Sequence, residues 1–548
     1  MDTPTAIPDA HGQNLFRADR DAAALFALHL PPDLFAHLTP HFDRLGTLAG
    51  GHLDDLASTA DRNPPTLSVR RRTGQDASDI HKHPAYVEME RLAYSEFGLA
   101  ALSHRPGVLG WPAPMPPAAK YALTYLFVQA EFGLCCPVSM TDSLTRTLKK
   151  FGAPDLVARY LDRLTSLDFD TLAQGAMFMT EQGAGSDVAA TATRAEPSNE
   201  ATWRLWGDKW FCSNADADLA MVLARSEDTP GLAGISLFLL PKMKADGTPN
   251  AYRILRLKDK LGTRSMASGE IRLEGAEAYL VGQAGSGFKQ MADMINNSRL
   301  SNGMRAAGLM RRASTEALHI ARNRQAFGRP LIDLPLMRRQ LTKLLVPTEQ
   351  ARAMMCLTAD ALARADQGDP LAAKRARILT PLIKFRACRD ARRVTGDAME
   401  VRGGCGYIEE WPDARLLRDA HLGSIWEGTS NIVALDVMRA IKRENALPPL
   451  LEHLRPLIAD DAFARQLDRA AAFAEQVAGQ GDETLARQAA SGLYHATSAI
   501  ALASEAARAG LPHRLALSRL VLAHRLAPRD PLVAPDDQAL IDQVLAAA

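Results

Sequence analysis

No stretch of this 548-residue chain is apolar and uncharged over the ~20 residues a membrane-spanning helix needs. Met1 to Arg20 is polar and mixed in charge, without the apolar core of a secretion signal. The expectation is a cytoplasmic protein with no membrane partner. Cysteine is scarce: Cys135, Cys136, Cys212, Cys356, Cys388 and Cys405 form no CxxC pair and adjoin no histidine cluster. That argues for reduced thiols and against disulfides or zinc, so no metal is expected. Net charge is nearly absent as well, at +1. The balance offers no overall electrostatic case for nucleic acid or an anionic membrane. Internal repeats and low-complexity segments are also lacking.

What is present is the composition of a soluble globular protein, 47% hydrophobic and 23% charged. The length predicts roughly three to four domains or lobes. Residues Asn14 to Thr171 are rich in Ala, Leu and charge and broken at Pro31-Pro32, Pro64-Pro65 and Pro112 to Pro117. They read as a helical domain with irregular connections, in which His81 and His83 belong to a polar loop. From Gly175 to Gly287, short alternating runs such as Ile235, Leu237, Leu239 and Ile271, Leu273 lie between turn residues. That is a β domain.

Beyond Phe288 the helical period returns. Helices are expected over Ser301–Phe327, Pro335–Gln367 (kinked at Pro347) and Pro370–Val401. After Glu444 an Ala/Leu/Arg-rich tail carries nine Arg and no Lys against twelve Asp and Glu, so it is mildly acidic. The predicted domains are 1–174 helical, 175–287 β, 288–444 helical and 445–548 a helical extension. This order suits a helical bundle beside a barrel, not a Rossmann sheet.

The chain reads as organised around Ser424-Ile425-Trp426-Glu427-Gly428-Thr429-Ser430-Asn431. Thr429, Ser430 or Asn431 can cap a helix over Ile432–Arg443. Glu427 then approaches a helix N-terminus beside an aromatic face, where burial raises a carboxylate's pKa and the helix end lowers it. It is a candidate base. For an isolated glutamate, simple complementation of the helix dipole is the better reading.

Four upstream motifs change that weighting. Thr180-Glu181-Gln182-Gly183-Ala184-Gly185-Ser186-Asp187 offers tight turns, backbone N–H groups and hydroxyls to an anion, or is merely a turn. Lys209-Trp210-Phe211-Cys212-Ser213-Asn214 can cover a planar ring and hydrogen-bond its edge, or is ordinary core. Arg324-Gln325-Ala326-Phe327-Gly328-Arg329 places a guanidinium able to grip a diphosphate beside an aromatic, or a solvated helix-end arginine. Gly403-Gly404-Cys405-Gly406-Tyr407 allows close backbone approach, or stops a helix.

Together, in this order and at these separations, the motifs from about Gly175 to Lys442 resemble the acyl-CoA dehydrogenase family. The N-terminal region, with Asn63-Pro64-Pro65 and Cys136-Pro137, and the C-terminal tail look most like its AidB-type branch. The resemblance implies a mainly α protein with a central β-barrel: N-terminal helical domain, middle β domain, C-terminal four-helix bundle and a helical extension. It also implies a homotetramer holding FAD between domains and subunits. Thr180 matches the contact to the flavin pyrimidine edge, Ser186 the serine near the diphosphate and the coenzyme A moiety. Phe211 takes the place of the tryptophan against the isoalloxazine, and Ser213 that of the hydroxyl at flavin N5.

Arg324 and Phe327 match the pair reaching a neighbouring subunit's FAD. Gly403 and Gly404 belong to the same cofactor-binding set, and Thr429 and Asn431 lie where the family contacts the flavin again. Glu400 stands where many members have a glutamine facing the diphosphate, which is a departure. Arg299 and Gly428 match substrate-side positions. Glu427 matches the catalytic base; branches that carry the base elsewhere use the position of Ser298, which has no carboxylate here.

The implied reaction removes an α-proton through Glu427 and passes a β-hydride to flavin N5, giving a trans-2-enoyl-CoA from an acyl-CoA. An electron-transfer flavoprotein is the implied electron acceptor. The alternative is an AidB-like DNA-associated alkylation or stress-response flavoprotein with weak or vestigial dehydrogenation. The acidic tail speaks against it, since DNA affinity comes from Lys and Arg. The AidB-like ends speak for it, and basic patches such as Arg70-Arg71-Arg72 could contribute, though such a run is usually a solvated face.

Overall fold

The computed structural model describes residues 6–199, 201–528 and 530–548. The first residues of the Met1–Arg20 segment lie outside the described ones. Two compact units emerge, one comprising 1–54, 116–130 and 299–548, the other 55–115 and 131–298.

The second unit is built on a barrel. Its strands are β3 (Gly175–Phe178), β4 (Arg194–Pro197), β5 (Trp203–Ser213), β6 (Leu219–Arg225), β7 (Ile235–Pro241), β8 (Tyr252–Leu257) and β9 (Ser268–Val281). Pairing runs β6-β4-β5-β9-β7, and β7 pairs back to β6, so the five strands close into a ring; β3 joins β6 and β8 joins β9. The interior is filled by Phe178, Leu205, Val222, Phe238, Ile254, Ile271 and Leu273. β6 and β7 are apolar almost throughout, Ser236 and the terminal Arg225 apart, because both of their faces are covered.

The expected all-helical reading of Asn14–Thr171 needs one correction. An antiparallel hairpin, β1 (Thr66–Arg70) with β2 (Asp76–His81), interrupts the helices, and the Ser78 hydroxyl accepts the Ile254 N–H at 3.0 Å. Its strands are short and half exposed, so the alternation that marks the barrel strands is faint. His81 therefore ends a strand, and His83 caps the helix Pro84–Glu90 by accepting the Ala85 N–H at 3.1 Å.

The first unit is helical. Pro335–Asp366 and Pro370–Arg402 pack lengthwise, with Ser430–Glu444 and Pro412–Gly423 against the latter. Both long helices begin with proline at the first turn, where its missing N–H costs nothing. Asp369 caps the second by accepting from Leu371 and Ala372 N–H at 2.8 and 2.9 Å. The first runs on through Pro347. The helix expected at Ser301–Phe327 is instead Gly287–Asn323. It stops before Arg324 because Phe327 and Gly328 turn the chain into a short hairpin with positive φ of 54° and 78°.

The tail is not an appendage. Asp461–Gln480, Ala486–Ala509 and Pro512–Val521 pack on one another and on the bundle, burying Leu493, Tyr494, Ile500 and Leu517.

Candidate functional site

Glu427 lies in the loop between helices Pro412–Gly423 and Ser430–Glu444, with φ of +55°, and Gly428 follows at +97°. Left-handed backbone disfavours a side chain by roughly 1–2 kcal/mol, so something must hold it. Two buried cations do. Arg299 Nε donates to the Glu427 carbonyl at 3.0 Å, and Lys384 Nζ donates to the Gly428 carbonyl.

Arg299 Nη1 also reaches Asp436 Oδ2 at 2.7 Å, and Arg377 grips Asp436 at 2.8 Å and Glu444 at 2.9 Å. Burial opposes the Asp436 charge, but Arg377 and Arg299 outweigh it and hold its carboxyl below the usual range. Burial also lowers Lys384 to about 8; Cys388 opposes that, Arg299 adds to it and Glu427 opposes it. Arg305 lies 4.7 Å over the Trp426 ring, which sets an aromatic wall beside Glu427. A Cβ on Gly428 would come within 3.2 Å of Val433, 3.3 Å of Ile432 and 3.4 Å of Arg299.

The expected cap differs in detail. The helix starts at Ser430 with Thr429 as its N-cap residue, and the Thr429 side chain makes no capping bond. Ser430 Oγ instead accepts from Arg389 at 3.3 Å. Thr429 and Asn431 are exposed.

A second group forms around the Gly403 turn. Arg324 Nη1 donates to the Arg402 carbonyl at 3.1 Å, beside Gly403. Gly403 ends its helix at φ +75° and donates its N–H to the Glu400 carbonyl; Gln340 donates to the Glu400 carboxylate at 3.3 Å. A Cβ on Gly404 would meet nothing within 4 Å, and Phe327 is 92% exposed. An uncovered guanidinium-aromatic pair beside open glycines has the character of a contact surface for a flat, anionic group.

The β unit holds the third group. Thr180 is joined to the Trp210-Phe211 strand by the Trp210 N–H, which donates to its carbonyl at 2.8 Å. Phe211 is 54% exposed, and Lys258 Nζ lies 4.8 Å over its ring. Ser213 Oγ sits 3.4 Å from Ser268 Oγ. Ser186 is exposed, in a loop whose Gly183 and Gly185 face open space.

The loop is anchored by Glu181. Its carboxylate accepts from Ala192 N at 2.7 Å, Thr193 N at 3.1 Å and Lys209 Nζ at 2.7 Å. Lys209 Nζ also donates to the Leu223 carbonyl at 2.8 Å. Sequence reasoning singled out neither this pair nor Lys384, Asp436 and Arg377. A buried lysine inside a strand whose next residues are aromatic was the one available signal, for Lys209.

Arg70 and Arg71 face Asp76 and Asp79 at 3.4 and 3.2 Å, so much of the basic run's charge is matched within its own hairpin. Among the described residues no helix is long and apolar enough to cross a membrane.

A closed β-barrel unit with a helical unit carrying a glutamate at a strained loop defines the fold class of the acyl-CoA dehydrogenases. The acyl-CoA dehydrogenase C-terminal domain family matches residues 285–442, the middle domain family 176–276, and the adaptive response protein AidB N-terminal domain family 6–171. AidB of Escherichia coli (strain K12) is 34% identical over 460 residues, 81% of this chain and 81% of that protein. Acyl-CoA dehydrogenase family member 11 of Caenorhabditis elegans is 31% identical over 430 residues, 76% of this chain and 69% of that one.

Among solved structures, Bd2924 in its apo form has a TM-score of 0.85 at 31% identity, covering 92% of this chain and 100% of that chain. C. elegans ACDH-11 in complex with C11-CoA has a TM-score of 0.86 at 27% identity, covering 98% of this chain and 94% of that one. The chain belongs to the acyl-CoA dehydrogenase family, with an AidB-type N-terminal domain.

Proposed function

We propose that this protein is an FAD-dependent acyl-CoA dehydrogenase acting at Cα–Cβ of an acyl-CoA. The observation that carries the proposal is the left-handed Glu427, held through its own carbonyl by Arg299 and through the next by Lys384. Strain of this kind persists where surroundings over-determine it, and such places cluster at active sites.

The residues fit the cofactor. Phe211 offers an exposed ring face, Ser213 a hydroxyl near it, Arg324 a guanidinium and Gly404 an open backbone. In this reading Thr180, Ser186, Phe211, Ser213, Thr429 and Asn431 hold FAD, as do Arg324, Phe327, Glu400, Gly403 and Gly404. Glu400 places a negative charge at that surface, which weakens the grip on a diphosphate.

FAD, when bound, supplies at N5 the acceptor for the β-hydride. The chain supplies position and proton chemistry. Glu427 takes the α-proton, and its backbone N–H holds the thioester carbonyl so that enolate character develops at lower cost. Trp426, backed by Arg305, excludes water from the base and acyl chain. Arg299 and Lys384 keep the loop from relaxing, so the carboxylate is in place before substrate arrives.

ACDH-11, solved with C11-CoA, supports an acyl-CoA as the ligand class. The family segments 6–171, 176–276 and 285–442 support a division at about 174, 287 and 444. A cytoplasmic homotetramer passing electrons to an electron-transfer flavoprotein completes the proposal. DNA association stays the weaker reading, and absence of salt-dependent DNA binding at low ionic strength removes it.

The test is the visible absorbance of the purified anaerobic protein before and after adding acyl-CoAs of graded length. Bleaching by one length class supports the dehydrogenase. A flavin that no thioester bleaches overturns it.

A further inference from the structure

Away from Glu427, the helical unit brings together three different donor side chains, two buried and one half-buried. His29 is the last residue of helix Ala22–His29, Cys356 lies within Pro335–Asp366, and Glu505 lies near the end of Ala486–Ala509. One atom from each, an imidazole nitrogen, the thiol sulfur and a carboxylate oxygen, lie within 4.8 Å of one another. Cys356 and Glu505 are 5% and 3% exposed.

The imidazole and the thiol are poorly provided for by protein alone. His29 Nε2 is buried and makes no hydrogen bond, with Glu505 Oε1 3.5 Å away. The other Glu505 oxygen, Oε2, is held by Arg514 through Nε at 3.0 Å and through Nη2. Oε1 is therefore the oxygen turned toward His29. Burial pushes the Cys356 thiol up to about 12, Glu505 adds to that, and Arg352 and Arg514 oppose it. A cavity of about 10 Å³ adjoins His29 and Cys356, walled by Phe26, Leu30, Tyr121 and Met355. It is close to the volume one water needs.

The charge balance points the same way. Arg311, Arg352 and Arg514 face Asp19, Asp21, Glu349 and Glu505, so the guanidinium groups are outnumbered by one carboxylate. The imidazoles of His29 and His513 stand beside the Glu505 and Asp21 carboxylates, at 3.5 and 2.7 Å. An uncompensated buried charge and an orphaned buried nitrogen are each costly. One divalent cation removes both costs.

We propose that His29 Nε2, Cys356 Sγ and Glu505 Oε1 bind Zn²⁺, with a water from the adjoining cavity as fourth ligand. Nitrogen, thiolate and carboxylate are the donors zinc takes, in a tetrahedral shell. With Zn–N near 2.0 Å and Zn–S near 2.3 Å, tetrahedral donors stand roughly 3.3–3.6 Å apart. The His29–Glu505 spacing, 3.5 Å, already matches, and the sulfur needs to approach by about 1.3 Å at most. Binding replaces S–H by S–Zn and releases the proton to solvent, with no change of oxidation state. Arg514 on Oε2 is the outer partner that orients the carboxylate. The ion ties the helix before Leu30 to the bundle and to the tail.

The experiment loads purified full-length protein with Zn²⁺, removes excess, and measures metal per chain by mass spectrometry, for wild type and Cys356→Ser. A parallel sample takes Co²⁺ and is read as a difference spectrum against the unloaded protein. Expected are about one equivalent retained by wild type, a loss of at least ~10-fold in Cys356→Ser, and a thiolate-to-cobalt band with tetrahedral ligand-field bands. Glu505→Gln should lose metal too, but it also unties Arg514, so Cys356→Ser carries the result. Retention below about a tenth of an equivalent, retention undiminished in Cys356→Ser, or a cobalt spectrum without the thiolate band overturns the proposal.

Discussion

Arg299 holds the main chain at Glu427: its Nε donates to the Glu427 carbonyl at 3.0 Å while Nη1 meets Asp436 Oδ2 at 2.7 Å. The guanidinium thus fixes the backbone from which the Glu427 carboxylate projects. The contact joins two helices and a loop, and several expectations hang on it.

Glu427→Gln keeps the shape and removes the base. Flavin reduction by the best acyl-CoA should slow by roughly 10²–10⁴-fold in anaerobic stopped flow, with acyl-CoA binding retained. Unchanged reduction would sink the assignment of the base.

Gly428→Ala puts a side chain at φ +97° and pushes a methyl against Val433, Ile432 and Arg299. Backbone strain alone should cost about 1–2 kcal/mol of stability in urea denaturation, and turnover should fall because Arg299 is displaced. Gly479, inside a helix with nothing within 4 Å, is the control; alanine there should be neutral or mildly stabilising.

Asp436→Asn leaves Arg299 and Arg377, both largely buried, without the carboxylate they share. Loss of about 3 kcal/mol is expected, read from the midpoint of chemical unfolding. A loss below measurement would show that the pair relaxes into solvent.

Lys384 bears on pH. Its folded pKa is lowered to about 8 from 10.5, so between those values the unfolded chain holds a proton that the folded chain does not. Its contribution to stability therefore rises with pH across that window. Below about 8 the charge remains near Glu427. The turnover profile of the wild type should bend near pH 8, and Lys384→Met should lack that bend.

His495 sets the acid side. Burial, with Arg386 adding to it, lowers its pKa from 6.5 to about 3. As pH falls from about 6.5 toward 3 the unfolded state takes up a proton the folded state refuses, so stability is lost on acidification. In His495→Gln the slope of unfolding free energy against pH from 4 to 6.5 should be shallower.

Much of the architecture could be read from the order of hydrophobic periods. The barrel strand Ser268–Val281, where Ile271 and Leu273 alternate with charged neighbours, and the helices starting at Pro335 and Pro370 carry their signals locally, in alternation and in proline at the first turn. The hairpin at Thr66–His81 was not legible, because short half-exposed strands leave no clean alternation. The end of the helix before Arg324 was misplaced because the turn there uses Phe327 at positive φ, which a bulky residue does not advertise. At the candidate site Glu427 was visible through its motif and Arg299 through the family resemblance. Lys384, Asp436 and Arg377 were not, since nothing around them in the chain marks them out.

The sequence by itself determined the helical and β character of the chain, the barrel and the family, and it pointed to Glu427, because these rest on neighbours and on spacing along the chain. Tertiary structure alone decided that Glu427 is strained and pinned, and that His29, Cys356 and Glu505 meet. Those facts depend on which distant helices pack together. Burial then removes water as the competing partner, leaving each polar atom only what packing brings to it.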